Sequence, residues 1–378
     1  MGEREVTLPQ FYAQDLARLD TMARRRGLAL PRGRDFSSND YLALAGSDAL
    51  RDAAMRALER GVPMGSGGSR LLRGHRAEHA RVEEDAARFF GSEAALFMST
   101  GFAANSLLFS TLPQKEDCIF HDALIHASAH EGMRLSRAER RGFAHNDVDA
   151  AADAIAQWRA SGGSGTPWIA FETLYSMDGD IAPVAEFAAL ARAVGAMLFI
   201  DEAHAVGVYG PQGRGLASGL QGEEHAIVLA TCGKALGCEG ALVLCSDVIR
   251  DFLINRGRGF IFSTAPSPLM AAVVGDALRL IAGGDDLRQR LRTRVQGAAD
   301  RFAALGIVLS GSQIQPVVIG EEARTMEIAA ALQAEGFDIR GIRPPTVPEG
   351  TARLRLSITL NSDEEDMDAL IQAMERLL

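Results

Sequence analysis

The sequence predicts an α/β protein with a mostly parallel central sheet covered by helices on both faces, followed by a smaller C-terminal α/β domain. Three observations point there. From about residue 75 to residue 246, amphipathic stretches of helix length alternate with short apolar runs, the pattern of strands buried between layers of helix. The residues best suited to chemistry directly follow apolar runs, at the strand ends where open sheets of this kind gather ligands. Beyond the proline-bearing FSTAPSPLMAAVV, a second set of alternating elements closes with ARLRLSITL and a helix.

Residues 1–60 form a short N-terminal segment with the turn-rich FSSNDYLALAG, expected to pack on other parts of the chain rather than fold alone. Residues 61–265 are expected to form the large domain. Its strands are AALFMS from 94, CIFHD from 118, PWIAFET from 167, AMLFIDE from 196, AIVLATC from 226 and GALVLCS from 240, short apolar runs set off from their neighbours. RAEHARVEEDAARFFG and PVAEFAALARAVG repeat apolar residues at three-and-four spacing and end in glycine, as capped helices do. Residues 266–378 hold a helical stretch over about 268–305 that links to the small C-terminal domain. SGGSGT at 161–166 is a surface loop, and no repeat interrupts the pattern.

With 378 residues and 47% hydrophobic content, the chain can bury a large core. A net charge of -10 argues against a nucleic-acid partner, since phosphate binding needs clustered excess Lys and Arg. Basic clusters are local, at Arg24–Arg26 and at Arg137, Arg140 and Arg141. The first twenty residues mix charges of both signs and lack the apolar block of a signal or membrane span. No membrane partner and a cytoplasmic location are therefore expected. Cys118, Cys232, Cys238 and Cys245 match no zinc or disulfide spacing, so reduced, mostly buried thiols and no metal site are expected.

The strongest chemical signal is DEAH at 201–204 followed by TCGKALG at 231–237, each placed after an apolar run. Alone, such an Asp reads as a helix cap and such a Lys as a solvated loop residue. Together, a carboxylate that keeps a pyridinium nitrogen protonated and a lysine that forms an imine with an aldehyde describe pyridoxal 5'-phosphate, PLP. STGFAANSL sets Ser99, Thr100 and Gly101 between a strand and a helix, where backbone N–H groups and the helix dipole favour a phosphate. His126, in HDALIHASAHEG, can stack flat on a pyridine ring, and ETLYSMDGDIAP adds Glu172 and Ser176. The MDGD portion of that segment reads as a simple turn.

These motifs resemble the alpha-oxoamine synthases, a branch of the fold type I PLP enzymes, over nearly the whole chain. The resemblance is carried by FSSNDYL at 36–42, GSGGSRLLRGH at 65–75, STGFAAN at 99–105, FAHNDV at 143–148, SMDGDIAP at 176–183, DEAHAVGVYG at 201–210, TCGKALG at 231–237 and FSTAPSP at 262–268. GSGGSRLLRGH, FAHNDV and RPPTVPEGTARLRLS look most like the member that condenses L-alanine with a pimeloyl thioester in biotin synthesis. Sister synthases that use glycine or serine with another acyl-CoA share the core and stay open as alternatives, as does a non-catalytic partner subunit.

The resemblance implies that Lys234 is the Schiff-base lysine, that Asp201 pairs with the pyridine nitrogen, that His204 meets the phenolic oxygen and that His126 stacks on the ring. Gly101 and Phe102 would contact the cofactor at the phosphate loop, with Glu172, Ser176 and Thr231 nearby. Arg355 would bind the amino-acid carboxylate through its planar fork. Arg24, Asn39 and Thr346 match positions lining the acyl side, although three consecutive arginines by default mark a solvated face. A homodimer with active sites at the interface is implied as well. Cys238 and Glu239 depart from the family pattern, which has small or hydroxylated residues there. A buried, unpaired Glu239 would cost on the order of several kcal/mol.

Overall fold

The structure is a computed structural model that describes residues 9–308 and 310–378. The chain forms two units: a large one of Asn39–Ser176 and Asp180–Thr293, and a smaller one of the described parts of Met1–Ser38 and Arg294–Leu378 with Met177–Gly179. The borders fall at 38 and 293, not at the expected 60 and 265. Packing explains the first shift. The helix Asp48–Glu59, capped by the Ser47 hydroxyl, buries Leu50, Ala53 and Ala57, and it lies against the helix Pro268–Ala282. Residues 39–60 thereby join the large unit. By contrast, strand β1 (Arg34–Asp35) pairs in parallel with Phe337 and Asp338, which ties the preceding segment to the smaller unit.

The large unit is built on seven strands: β2 (Ala94–Met98), β3 (Cys118–Asp122), β4 (Glu139–Phe143), β5 (Pro167–Glu172), β6 (Met197–Asp201), β7 (Ala226–Thr231) and β8 (Ala241–Cys245). Their order is β2-β8-β7-β6-β5-β3-β4. All six expected strands are present, and β8 runs opposite to the other six, antiparallel to both β2 and β7. β2, β5, β7 and β8 are buried at every position, which is why they read as continuous apolar runs. Alternate side chains serve two helical layers. Phe199 packs at 4.4 Å on Phe109 of the helix Gly101–Thr111, whereas Phe171 stacks at 4.6 Å on Phe187 of the helix Val184–Val194. Each such buried side chain contributes roughly 1.5–3 kcal/mol.

Two elements differ from expectation. β4, with the sequence ERRGF, exposes Glu139 and Arg140 at the sheet edge; charges that keep an edge from pairing with another chain also hide it from an apolar reading. The stretch at 268–305 is two helices, Pro268–Ala282 and Asp285–Ala304, separated by Gly283 and Gly284, which weaken a continuous helix through backbone entropy.

In the smaller unit, β9 (Ile314–Gly320), β11 (Arg340–Ile342) and β12 (Ala352–Ser357) form an antiparallel sheet in the order β11-β12-β9, and β10 (Phe337–Asp338) pairs with β1. The helices Glu322–Ala334 and Glu364–Leu377 accompany it. β12 is buried along its length despite two arginines, because Arg353 pairs with Asp178 and Arg355 donates to Ser357 Oγ at 2.9 Å. Among the described residues, no helix is long and apolar enough to cross a membrane. All four cysteines are free thiols, three of them buried.

Candidate active site

The carboxyl ends of β2, β3, β5, β6 and β7 share one edge of the large sheet. Beyond β2, the Thr100 hydroxyl accepts from Ala103 N at 3.0 Å and starts the helix Gly101–Thr111. Glycine is required at 101, because a Cβ there would lie 2.7 Å from Thr231 Cγ2. The positive end of the helix dipole therefore sits flush against the end of β7, where it favours an anion. Beyond β7, Lys234 rides on a loop closed by Cys232 N to Gly240 O and Cys238 N to Cys232 O, both 2.9 Å, and by Gly237 N to Lys234 O at 2.8 Å. Gly237 adopts φ +66, and a Cβ there would meet Ala45 N at 2.4 Å. These elements enclose a cavity of about 260 Å³ lined by Gly101, Phe102, His126, Glu172, Asp201, His204, Thr231 and Lys234. Eight of the residues singled out in the sequence thus meet in one place.

The cavity also holds a polar network that sequence reasoning missed. Asp201 Oδ1 accepts from Ala203 N and Oδ2 from Asn105 Nδ2, both at 2.9 Å. Asn105 Nδ2 also donates to Ser128 Oγ at 3.0 Å, and Ser128 Oγ lies 2.7 Å from His126 Nδ1. The available signal lay inside STGFAAN and HASAHEG, where short polar residues on helices pass for caps or surface.

Glu172 and Asp201 are register partners on β5 and β6. Burial, and then the Asp201 charge, push the Glu172 carboxyl well above its ordinary range, and its Oε1 has no hydrogen-bond partner. Asp201 accepts an N–H on each oxygen, while burial favours the protonated form of Glu172. Burial also lowers His126 against the pull of Asp201, so it is a neutral imidazole. His204 is buried, with Nδ1 2.6 Å from Tyr41 Oη, which donates to Asn39 Oδ1 at 3.0 Å. Asn39, expected on the acyl side, is therefore tied to His204 within the large unit.

Other expected residues lie outside this cavity's lining. Ser176 is half-buried in the loop after β5. Arg24, Thr346 and Arg355 belong to the smaller unit. Arg24 Nε and Nη2 meet Glu322 at 2.8 and 2.5 Å, and Nη2 meets Glu349 at 2.6 Å. Two carboxylates engage it, so it is not the solvated residue that three consecutive arginines suggest. Thr346 Oγ1 accepts from Arg26 at 3.3 Å. Glu239 is exposed at the cavity's rim, and no buried-charge penalty arises.

The MDGD segment is more than a turn. Asp178 pairs with Arg353 in the smaller unit. In the large unit, His145 Nε2 meets Asp180 Oδ2 at 2.7 Å and its Nδ1 meets Asp122 Oδ1 at 2.9 Å. Burial disfavours the His145 imidazolium, but the two carboxylates outweigh it and raise the group to about 10. A raised folded-state value adds stability that is complete below the unfolded value of about 6.5 and is lost as pH climbs through the folded one. Thermal melts should therefore show His145→Gln destabilised by a few degrees at pH 6 to 7, with the gap to the unmodified protein closing toward pH 10. A gap independent of pH would refute the charge bridge.

An amine on a flexible stem, a carboxylate fixed by two N–H donors, a neutral imidazole, a helix N-terminus and an acid with an unmet hydrogen bond suit a phosphorylated pyridine aldehyde. The aminotransferase class I and II family model matches residues 33–374, and the chain belongs to that family. Within the same range of similarity, the 8-amino-7-oxononanoate synthase of Geobacter sulfurreducens is 41% identical over 380 residues, 98% of this chain and 96% of the relative. Among solved structures, a serine palmitoyltransferase from S. paucimobilis with bound PLP and myriocin is similar at a TM-score of 0.87 and 26% identity, covering 97% of this chain and 96% of that one. An 8-amino-7-oxononanoate synthase from Francisella tularensis is similar at 0.76 and 26%, covering 91% and 97%.

Proposed function

We propose that the protein is a PLP-dependent acyltransferase that condenses L-alanine with a pimeloyl thioester, giving 8-amino-7-oxononanoate, carbon dioxide and free thiol for biotin synthesis. The observation that carries the reading is the convergence of Lys234 and Asp201, from the ends of adjacent strands, on one cavity with His126, His204 and a helix N-terminus. The 41% identity to a relative named for this reaction supports the substrate pair.

When bound, PLP draws electrons from the substrate carbon next to its amine. Lys234 would hold the cofactor covalently at rest and, once displaced by the alanine amine, take the proton from the alanine Cα. Asp201 would keep the ring nitrogen protonated, His204 would meet the phenolic oxygen, and His126 would lie against the ring face. Gly101 and Phe102 would take the phosphate, with Thr231 and Ser176 beside it. Arg355 would bind the alanine carboxylate, and Arg24, Asn39 and Thr346 would serve the acyl side. In sum, the alanine Cα bonds to the thioester carbonyl carbon and the C–S bond breaks, the sulfur leaving as a protonated thiol. The carboxylate departs as carbon dioxide, and Cα receives a proton in its place. A cytoplasmic homodimer completes the reading.

The test is a titration of the PLP-loaded protein with alanine, glycine and serine, followed by thiol release from pimeloyl-CoA. Alanine should exceed glycine in kcat/KM by about 10- to 200-fold, the discrimination one methyl group supports. Preference for glycine or serine would move the protein to a sister synthase.

A further inference from the structure

We propose that Asn105 is a positioning residue whose single side-chain amide fixes both the acceptor role of Asp201 and the tautomer of His126. The catalytic consequence rests on the function proposed above; the geometry does not. Asn105 is 5% exposed and Ser128 1%. The amide nitrogen has two hydrogens and accepts nothing. One goes to Asp201 Oδ2 at 2.9 Å and the other to Ser128 Oγ at 3.0 Å. Asp201 settles which end of the amide faces it, because a carbonyl oxygen there would meet only an acceptor.

The polarity of the chain follows. The Ser128 N–H donates to His126 Nδ1 at 3.2 Å, which makes Nδ1 an acceptor, and the Ser128 hydroxyl, whose oxygen already accepts from Asn105, gives its hydrogen to the same nitrogen at 2.7 Å. Nδ1 is the bare nitrogen, and the ring hydrogen sits on Nε2. Asp201 accepts from Asn105 and from Ala203 N, so it meets the cavity purely as an acceptor and suits a protonated ring nitrogen. Asp201, Lys234 and the Ser128 donors are the charged and polar groups acting on the imidazole. The helices carrying Asn105 and Ser128 are locked in register at Gly132, where a Cβ would lie 2.8 Å from Asn105 O and from Phe109 Cβ.

The test reads the histidine ring nitrogens by 15N NMR in the cofactor-free protein, with the His126 signals assigned by their loss in His126→Gln. The unmodified protein should show the Nε2–H form. In Asn105→Asp the new carboxylate takes the Ser128 hydroxyl hydrogen and crowds Asp201. The His126 signals should move toward the imidazolium at neutral pH, and the PLP dissociation constant should rise about tenfold or more, as for a lost hydrogen bond to a charged group. Ser128→Ala guards against misfolding of that variant. It should move the His126 signals in the same direction but less far, with PLP affinity changed by less than about threefold. Unmoved His126 signals in both variants, or unaltered PLP affinity in Asn105→Asp, would overturn the proposal. Absence of alanine turnover in the unmodified protein would instead sink the functional reading and leave the ring signals to decide the role of Asn105.

Discussion

Lys234→Ala is expected to abolish alanine-dependent thiol release from pimeloyl-CoA, with a loss of at least about 10⁴-fold, and to remove the visible absorbance of lysine-linked PLP. Two roles disappear with one side chain. In the proposed mechanism the amine for the covalent link is gone, and so is the base for the alanine Cα; a positioned base alone contributes about 10²–10⁴-fold. The fold should survive, because the loop is closed by the backbone bonds of Cys232, Gly237, Cys238 and Gly240. Far-ultraviolet dichroism like that of the unmodified protein would establish this. Added PLP should still bind, held by the phosphate end of the site, but it should wash out on dialysis. Retained absorbance after dialysis together with retained turnover would sink the assignment of Lys234.

What the sequence made legible was whatever burial writes into a contiguous stretch. β5 and β7 are buried at all six positions, so they show as apolar runs, and the residues that follow them are at once candidates for the site. What stayed hidden depends on partners distant in the chain. Asn105 meets Ser128 across 23 positions and Asp201 across 96, and nothing local separates it from a polar residue on a helix surface. The same holds for the unit border, which turns on the pairing of Arg34 with Phe337. FAHNDV stood out as a motif, but the two carboxylates that hold His145 came from CIFHD and MDGD. MDGD was read as a turn because its local composition is that of a turn. β4 was hidden for a different reason: its charges suit an edge, and an apolar-run search passes over it.

Asp201→Asn is expected to lower turnover about a thousandfold and to destabilise the protein, through two separable effects. The first is electrostatic. In the proposed role, the acceptor facing the ring nitrogen becomes a neutral amide, in a cavity where burial and then the Asp201 charge push the Glu172 carboxyl well above its ordinary range. With Asp201 neutralised, the repulsion on Glu172 falls and its carboxyl should ionise at lower pH, a shift that carbonyl-stretch infrared difference spectra of the two proteins can follow. The second effect is one of hydrogen-bond accounting. Ala203 N and Asn105 Nδ2 each donate to a different oxygen of Asp201, and asparagine offers only one oxygen, so one buried donor goes unmet at a cost of about 1–3 kcal/mol. Asp201→Glu separates the two, since it keeps the charge and both oxygens but moves them by a methylene. It should recover part of the turnover and still melt below the unmodified protein. Equal turnover in Asp201→Asn and the unmodified protein would remove Asp201 from the chemistry and reduce it to a residue that joins β6 to the helix Gly101–Thr111.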